Sequence, residues 1–357
     1  MKDPAACGRI IRSMKSAVDV PITVKMRLGW DSESINFREG TFRLNGRRCA
    51  LLNDDNLCDL YIHAGKNSLC KTCRTYPRHQ EEFGNVREIS LSLSCPEAAR
   101  IILSQPHRPA ALTKDTDKNC PKDQEVDTSR LQWLLDARDM MLDILWQPIP
   151  LNLAVSMVLA FAHDLQRRYR DQSLFRNSEK AFLELRELAT RYLSPDSEQR
   201  FRNQRSKRLR STDLIPQSQC IQALFDLYTP LEPIIPQWPQ LLSRIRTQPF
   251  LISVDSDMLP QRHLITYYLQ VYFPGAIYDD DLWGKALFAI LSWLMTGLMA
   301  SALPDTEQMP AYTRAAYLYS RQVENHDINL QQLLSAAKQK TFDFLSLLNL
   351  LAIEKSR

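Results

Sequence analysis

From residue 127 onward, apolar positions recur at three- and four-residue spacing, the period of a helix with one buried face. The stretch DTSRLQWLLDARDMMLDILW opens on an Asp/Thr/Ser cap, and Pro148 and Pro150 close it. LNLAVSMVLAFAHDLQRRY predicts a second helix, and others are predicted at about 178–193, 216–229, 235–246, 258–272, 282–302, 310–325 and 329–352. Few runs alternate as strands do, and no fixed repeat occurs. Residues 127–357 are therefore expected to form an irregular helical bundle.

The pattern differs upstream. Residues 1–37 combine a helical period over 5–18 with VPITVKMRLGW, a β-branched strand-like run entered through Pro21. Residues 38–103 carry cysteines and turn formers, among them Asn53, Asp54, Asp55, Gly65, Pro77 and Gly84. They predict short helices and loops. Residues 104–126 are polar and proline-punctuated, which suits a linker. The fold class is therefore mainly α, with a small cysteine-rich irregular domain followed by an irregular helical bundle.

Two segments raise questions of partner. Residues 286–303, ALFAILSWLMTGLMASAL, are uncharged and long enough to span a bilayer. They include Ser292, Thr296, Gly297 and Ser301 and are flanked by Asp279, Asp280, Asp281 and Lys285, so a buried core helix is expected and no membrane. Residues 200–210, RFRNQRSKRLR, hold six basic residues and no acid. With Phe201 as the only aromatic, they are expected to form a solvated linker rather than a nucleic-acid surface.

Composition narrows the chemistry. A net charge of +4 over 357 residues is too small to imply nucleic acid. Nine glycines are roughly a third of the usual share, and no Gly-x-Gly occurs, so a phosphate-cradling loop of the dinucleotide-binding type is not expected. The first residues lack the apolar run of a secretory signal, which suggests a cytoplasmic protein with reduced thiols.

Five of the eight cysteines follow the spacing Cys49-x8-Cys58-x11-Cys70-x2-Cys73-x21-Cys95. The Cys70-x2-Cys73 pair can present both sulfurs on one side of a turn, and Cys49 and Cys58 bracket another turn. Four thiolates suit tetrahedral zinc or an iron–sulfur cluster. Reduced core thiols are the other reading. The pattern is neither a zinc ribbon, which needs two CxxC pairs, nor CxxxCxxC, because Lys66 stands where its first cysteine would be. His63 and His79 lie in the same region, whereas Cys7, Cys120 and Cys220 are isolated.

The blocks CALLNDDNLC, CRTYPR and SLSLSCPE, at 49–58, 73–78 and 90–97, resemble the flagellin lysine-N-methylase (FliB) family, which shares a YkgJ-type cysteine domain. The resemblance extends over about residues 41–353, with the helical part less diagnostic. It implies S-adenosylmethionine-dependent N-methylation of lysines on flagellin by a protein that carries a 4Fe-4S cluster. It makes Cys49, Cys58, Cys73 and Cys95 the candidate metal ligands, Cys70 a fifth, and zinc the alternative ion. That family begins with a further block, Cys-x-Gly-x-x-Cys then Cys-Cys-x-Gly-Trp, which has no counterpart here, so N-terminal truncation is expected to impair activity. Residues 1–37 instead resemble a fragment of a tRNA-dihydrouridine synthase, which would set Lys25 against a flavin. One such fragment cannot close an eight-stranded barrel.

Methylation requires a neutral lysine amine, and the candidate bases for its proton include Tyr61, Tyr76, Glu81, Glu82 and the 279–281 acids. For the last three a helix-capping role is preferred. Two other functions remain open: a non-catalytic zinc- or iron-chelating module, and a tRNA-modifying flavoenzyme fragment.

Overall fold

The computed structural model describes residues 37–38, 41–42, 44–45, 48–55, 57–84, 86–109, 126–210, 216–247, 259–304, 306, 309–338, 347 and 351. The helix and strand expected in residues 1–37, with Lys25 and Cys7, lie almost wholly outside that set, as do most of the 104–126 linker and Cys120. The described part is mainly helical. The chain divides into two compact units, residues 1–76 and 77–357.

In the first unit, β1 (Phe37–Arg38) pairs with β2 (Thr41–Phe42) and β3 (Leu44–Asn45) with β4 (Arg48–Cys49), both antiparallel. Two short helices follow, α1 (Asp59–Ala64) and α2 (Lys71–Thr75). Asn53 shapes the turn between Cys49 and Cys58. Its Oδ1 accepts the backbone N–H groups of Asp55 and Leu57 at 3.1 and 2.9 Å, and its Nδ2 donates to Asp59 at 3.1 Å. This is the side-chain turn that the Asn-Asp-Asp run predicts.

The second unit opens on a β-hairpin, β5 (Arg78–Phe83) and β6 (Val86–Leu91), in register from Arg78↔Leu91 to Phe83↔Val86. Short helices and loops are the expectation for this stretch, so the hairpin is a difference. Charged residues stand on both faces, Arg78, Glu82 and Arg87 exposed and Glu81 and Glu88 half-buried, which hides the alternation, and Phe83 is its fully buried anchor. Gly84 closes the turn at φ +58°, a conformation most side chains avoid.

The helices of this unit are α3 (Pro96–Leu103), α4 (Thr128–Leu145), α5 (Leu151–Tyr169), α6 (Ser178–Leu193), α7 (Ser197–Leu209), α8 (Gln217–Tyr228) and α9 (Trp238–Arg246). They continue with α10 (Leu259–Tyr272), α11 (Ala276–Asp279), α12 (Leu282–Ala302), α13 (Ala311–Tyr319) and α14 (Asp327–Lys338). At its centre α12 packs against α5, α9, α10, α13 and α14, and 83% of its most apolar window is buried. Its membrane-like composition is that of a core helix. Two of its buried hydroxyls are paired: Ser292 Oγ accepts the Tyr319 hydroxyl at 2.8 Å, and Thr296 donates to the Ser292 carbonyl at 2.8 Å. Burial of each large side chain here, Trp293 and Phe288 among them, contributes roughly 1.5–3 kcal/mol.

Elsewhere, buried polar side chains satisfy backbone groups that helices leave open. Arg262 donates to the carbonyls of Leu145 and Ile149, past the end of α4. Gln322 accepts the N–H groups of Ile234 and Ile235 at 3.0 and 3.1 Å and pins the proline-rich loop before α9. Gln322 lies in a π-helical turn, Ser320–Glu324, that interrupts the chain between α13 and α14.

Residues 200–210 correct the linker expectation, because they form most of α7. The acids that support this helix precede the basic run. Asp196 pairs with Arg200 at 3.1 Å and Glu198 with Arg202 at 2.8 Å, both one turn apart, and Arg205 is buried.

Candidate functional site

The structure places the cysteines by a shared local rule. Cys58, Cys70 and Cys95 are the N-cap residues of α1, α2 and α3, each with extended backbone before the helix. Cys49 ends β4 opposite Leu44, Cys58 also bridges to Leu52, and Cys73 lies within α2. None of the five is in a disulfide, nor is Cys220, which is buried in the helical core.

Four of them, Cys49, Cys58, Cys70 and Cys73, belong to the first unit. Burial, the Cys70 thiol and the charges that Cys70, Cys49 and Cys58 would carry push the Cys73 thiol up to about 11. The Cys70 thiol is held below its ordinary value, because the Cys73 N–H, the Cys73 thiol and the Thr72 N–H favour its thiolate. The Cys70–Cys73 pair shares a hydrogen bond between its thiols, and a bound cation would take the place of that proton, so the donor set fits a thiolate-bound ion in kind. Among the described residues no three His, Cys, Asp or Glu side chains stand together at ligand spacing. Cys95 belongs to the second unit, and His63 ends α1, exposed.

The proton-accepting candidates are dispersed. Tyr61 and Tyr76 are exposed. Glu81 pairs with His79 at 2.9 Å, and that contact raises the imidazole above its usual value. Glu82 pairs with Arg87 at 2.6 Å. Of the three aspartates, Asp281 takes the expected capping role and the other two form ion pairs. Asp281 caps α12 by accepting the Gly284 N–H at 3.0 Å, Asp279 holds Lys285 at 2.9 Å and Asp280 holds Arg130 at 2.7 Å.

Sequence reasoning does not find Glu324. Its Oε2 accepts the hydroxyls of Tyr267 and Tyr272 at 2.9 and 3.1 Å, and the Ser320 hydroxyl hydrogen-bonds the same carboxyl. Burial raises this carboxyl to about 7, against the pull of the two tyrosines and Ser320. Tyr268, Tyr319 and Phe288 complete an aromatic shell, with Tyr272 on Phe288 at 4.7 Å and Tyr268 on Tyr319 at 5.9 Å. The available hint is three tyrosines in one buried helix, TYYLQVY, whose hydroxyls must find partners.

Known proteins match parts of this chain, in stretches of 36 to 179 residues. The profile of the dihydrouridine synthase (Dus) family matches residues 1–46. The lysine-N-methylase of Salmonella typhimurium is 38% identical over 58 residues, 16% of this chain and 14% of that protein. The flagellar biosynthetic protein FliU of Salmonella muenchen is 38% identical over 58 residues, 16% of this chain and 34% of its own length. A probable tRNA-dihydrouridine synthase 1 of Synechocystis is 42% identical over 52 residues, 15% of each chain. The chain thus spans between about a seventh and a third of the length of these relatives. No solved structure matches.

Proposed function

We propose that the chain is a protein-lysine N-methyltransferase that acts on flagellin with S-adenosylmethionine as methyl donor. The observation that carries this reading is the Cys70–Cys73 thiol pair, inside a block that resembles flagellin lysine-N-methylases. The matches to the Salmonella lysine-N-methylase and FliU support it. Cys49, Cys58, Cys73 and Cys95 are the proposed ligands of an iron–sulfur cluster, or of zinc in its place, with Cys70 as a fifth thiol. When bound, such an ion neutralises the thiolates and organises a region otherwise held by two-residue ladders and short helices.

A non-catalytic zinc- or iron-chelating module is the second reading and rests on the same thiols. A tRNA-modifying flavoenzyme is the third and rests on the match over residues 1–46.

Intact-mass measurement of flagellin co-expressed with this chain separates them. The first reading expects added methyl masses on lysines. Unmodified flagellin with metal bound to the chain would favour the second, and flavin absorbance from the purified protein the third.

A further inference from the structure

Cys70 and Cys73 share one turn of chain. Cys70 is the N-cap of α2 and Cys73 its third residue, and the Arg74 N–H donates to the Cys70 carbonyl at 3.0 Å to close the turn. The Cys73 thiol hydrogen-bonds the Cys70 sulfur, which also accepts the backbone N–H groups of Cys73 and Thr72. Among the described residues no third metal-ligating side chain stands with this pair. Four thiolates already complete a tetrahedral site, so Cys70 is surplus to the proposed ligands Cys49, Cys58, Cys73 and Cys95.

The geometry suits a bond between the two sulfurs. Side chains three residues apart on a helix stand about 5–6 Å apart at Cβ, and a disulfide needs about 3.5–4.5 Å. Closure therefore asks for a shift of about 1–2 Å. Helix α2 offers little resistance, because it is five residues long and buries none of its side chains. Cys73 is exposed and Cys70 half-buried, so a small oxidant reaches the pair, whereas Cys220 is enclosed in the helical core.

We infer that Cys70 and Cys73 are a redox modification site that closes to a reversible disulfide on reaction with a peroxide. The Cys70 sulfur attacks one oxygen of hydrogen peroxide. An S–O bond forms, the O–O bond breaks, and the thiol proton leaves with the second oxygen as water. The Cys73 sulfur then attacks the Cys70 sulfenic acid. An S–S bond forms, the S–O bond breaks, and the Cys73 proton leaves with the hydroxyl as a second water. The two sulfurs together lose two electrons, and the peroxide gains them.

A ring closed over so few residues constrains the unfolded chain little, so this bond is of the labile, exchangeable kind and a small thiol reopens it. The inference goes beyond the proposed methylation and needs none of it. Its consequence for metal does rest on the proposed ligand set. Cys73 cannot serve an ion and the disulfide at once, so oxidation would empty that ligand position.

The test is peptide mass spectrometry on the full-length chain, reduced, freed of metal, treated with hydrogen peroxide and then blocked with N-ethylmaleimide. Trypsin cuts after Lys66, Lys71 and Arg74, so the disulfide joins peptides 67–71 and 72–74, and dithiothreitol separates them. The joined pair should replace most of the labelled Cys70 peptide, while Cys220, labelled after denaturation, remains a thiol. Cys70→Ser should abolish the joined pair. Cys73 found joined to Cys49 or Cys58, or Cys70 and Cys73 both still labelled after peroxide, overturns the inference. Those assignments are read in the wild type, so they hold even where Cys70→Ser does not fold. A parallel arm adds zinc before peroxide. A joined pair that forms equally fast with zinc present refutes Cys73 as a metal ligand alone, and its absence from the metal-free chain refutes the disulfide alone.

Discussion

Arg138 Nη1 donates to both carboxylate oxygens of Glu88 at 2.8 Å, so a single guanidinium of α4 holds strand β6 of the hairpin. The Arg138 side chain is 7% exposed and that of Glu88 31%. The same nitrogen lies 3.4 Å from the Gln270 carbonyl on α10, which makes Arg138 a junction of three elements.

Removing the wetter partner exposes the value of this junction. Glu88→Ala leaves a buried cation with the Gln270 carbonyl at 3.4 Å and, among the described residues, Asp139 at 3.7 Å as compensation. It is expected to destabilise the chain by about 2–4 kcal/mol, because the remaining charge keeps its desolvation penalty. Glu88→Gln, which retains one acceptor, should lose less. Denaturant unfolding checks both, and two wild-type midpoints would refute the role.

Asp281 supplies a second, smaller prediction. A Cβ on Gly284 would collide with the Asp281 carboxylate, so that glycine and the cap are matched. Asp281→Ala should cost about 1 kcal/mol of stability and leave the proposed methylation of flagellin unchanged, since the 279–281 acids are caps and ion pairs. A large fall in methylation with wild-type stability would return this run to the chemistry.

The helices of residues 127–338 are legible in sequence wherever a single buried face sets the period, as in α4 and α5. Residues 200–210 are not, because the acids that steady their helix, Asp196 and Glu198, precede the basic run. The hairpin is hidden by charged outward residues such as Glu82 and Arg87, which read as loop although they pair across the strands at 2.6 Å. The cysteine spacing is legible too, and the structure adds that three of the five begin helices. Glu324 has no sequence signature. Tyr267 and Tyr272 reach it across more than fifty residues of chain, and the π-turn that aims it breaks the period that would have marked its face.

The thiols carry a prediction about metal. Cys49→Ser, Cys58→Ser, Cys73→Ser and Cys95→Ser should each lower iron or zinc bound per chain, while Cys70→Ser has a smaller effect. Cys220→Ser, in the helical core, is the control and should retain the metal. Elemental analysis of protein purified without oxygen decides it. Unchanged metal content in Cys58→Ser and Cys73→Ser would remove the ligand set.

Glu324 also sets how stability varies with pH. Its folded-state carboxyl lies at about 7, above an ordinary value of 4.5, so the native state favours the protonated form. Between those values the folded chain binds more protons than the unfolded one, and stability falls as pH rises through that window. The loss levels off above neutrality at about 3 kcal/mol, from a shift of this size at 1.36 kcal/mol per unit. His79 acts in the same direction. Its imidazole, raised by Glu81, stabilises the fold at low pH and ceases to do so as pH passes its folded value. Glu324→Gln should therefore flatten the profile, matching or exceeding wild-type stability near pH 8 and falling below it near pH 5, where wild-type Glu324 is protonated. The residual slope should shrink again in a Glu324→Gln/His79→Gln double variant. Guanidinium unfolding across this range measures it. A wild-type profile that rises from pH 5 to 8, or a slope that Glu324→Gln leaves intact, would show that this carboxyl is not the buried acid of the fold.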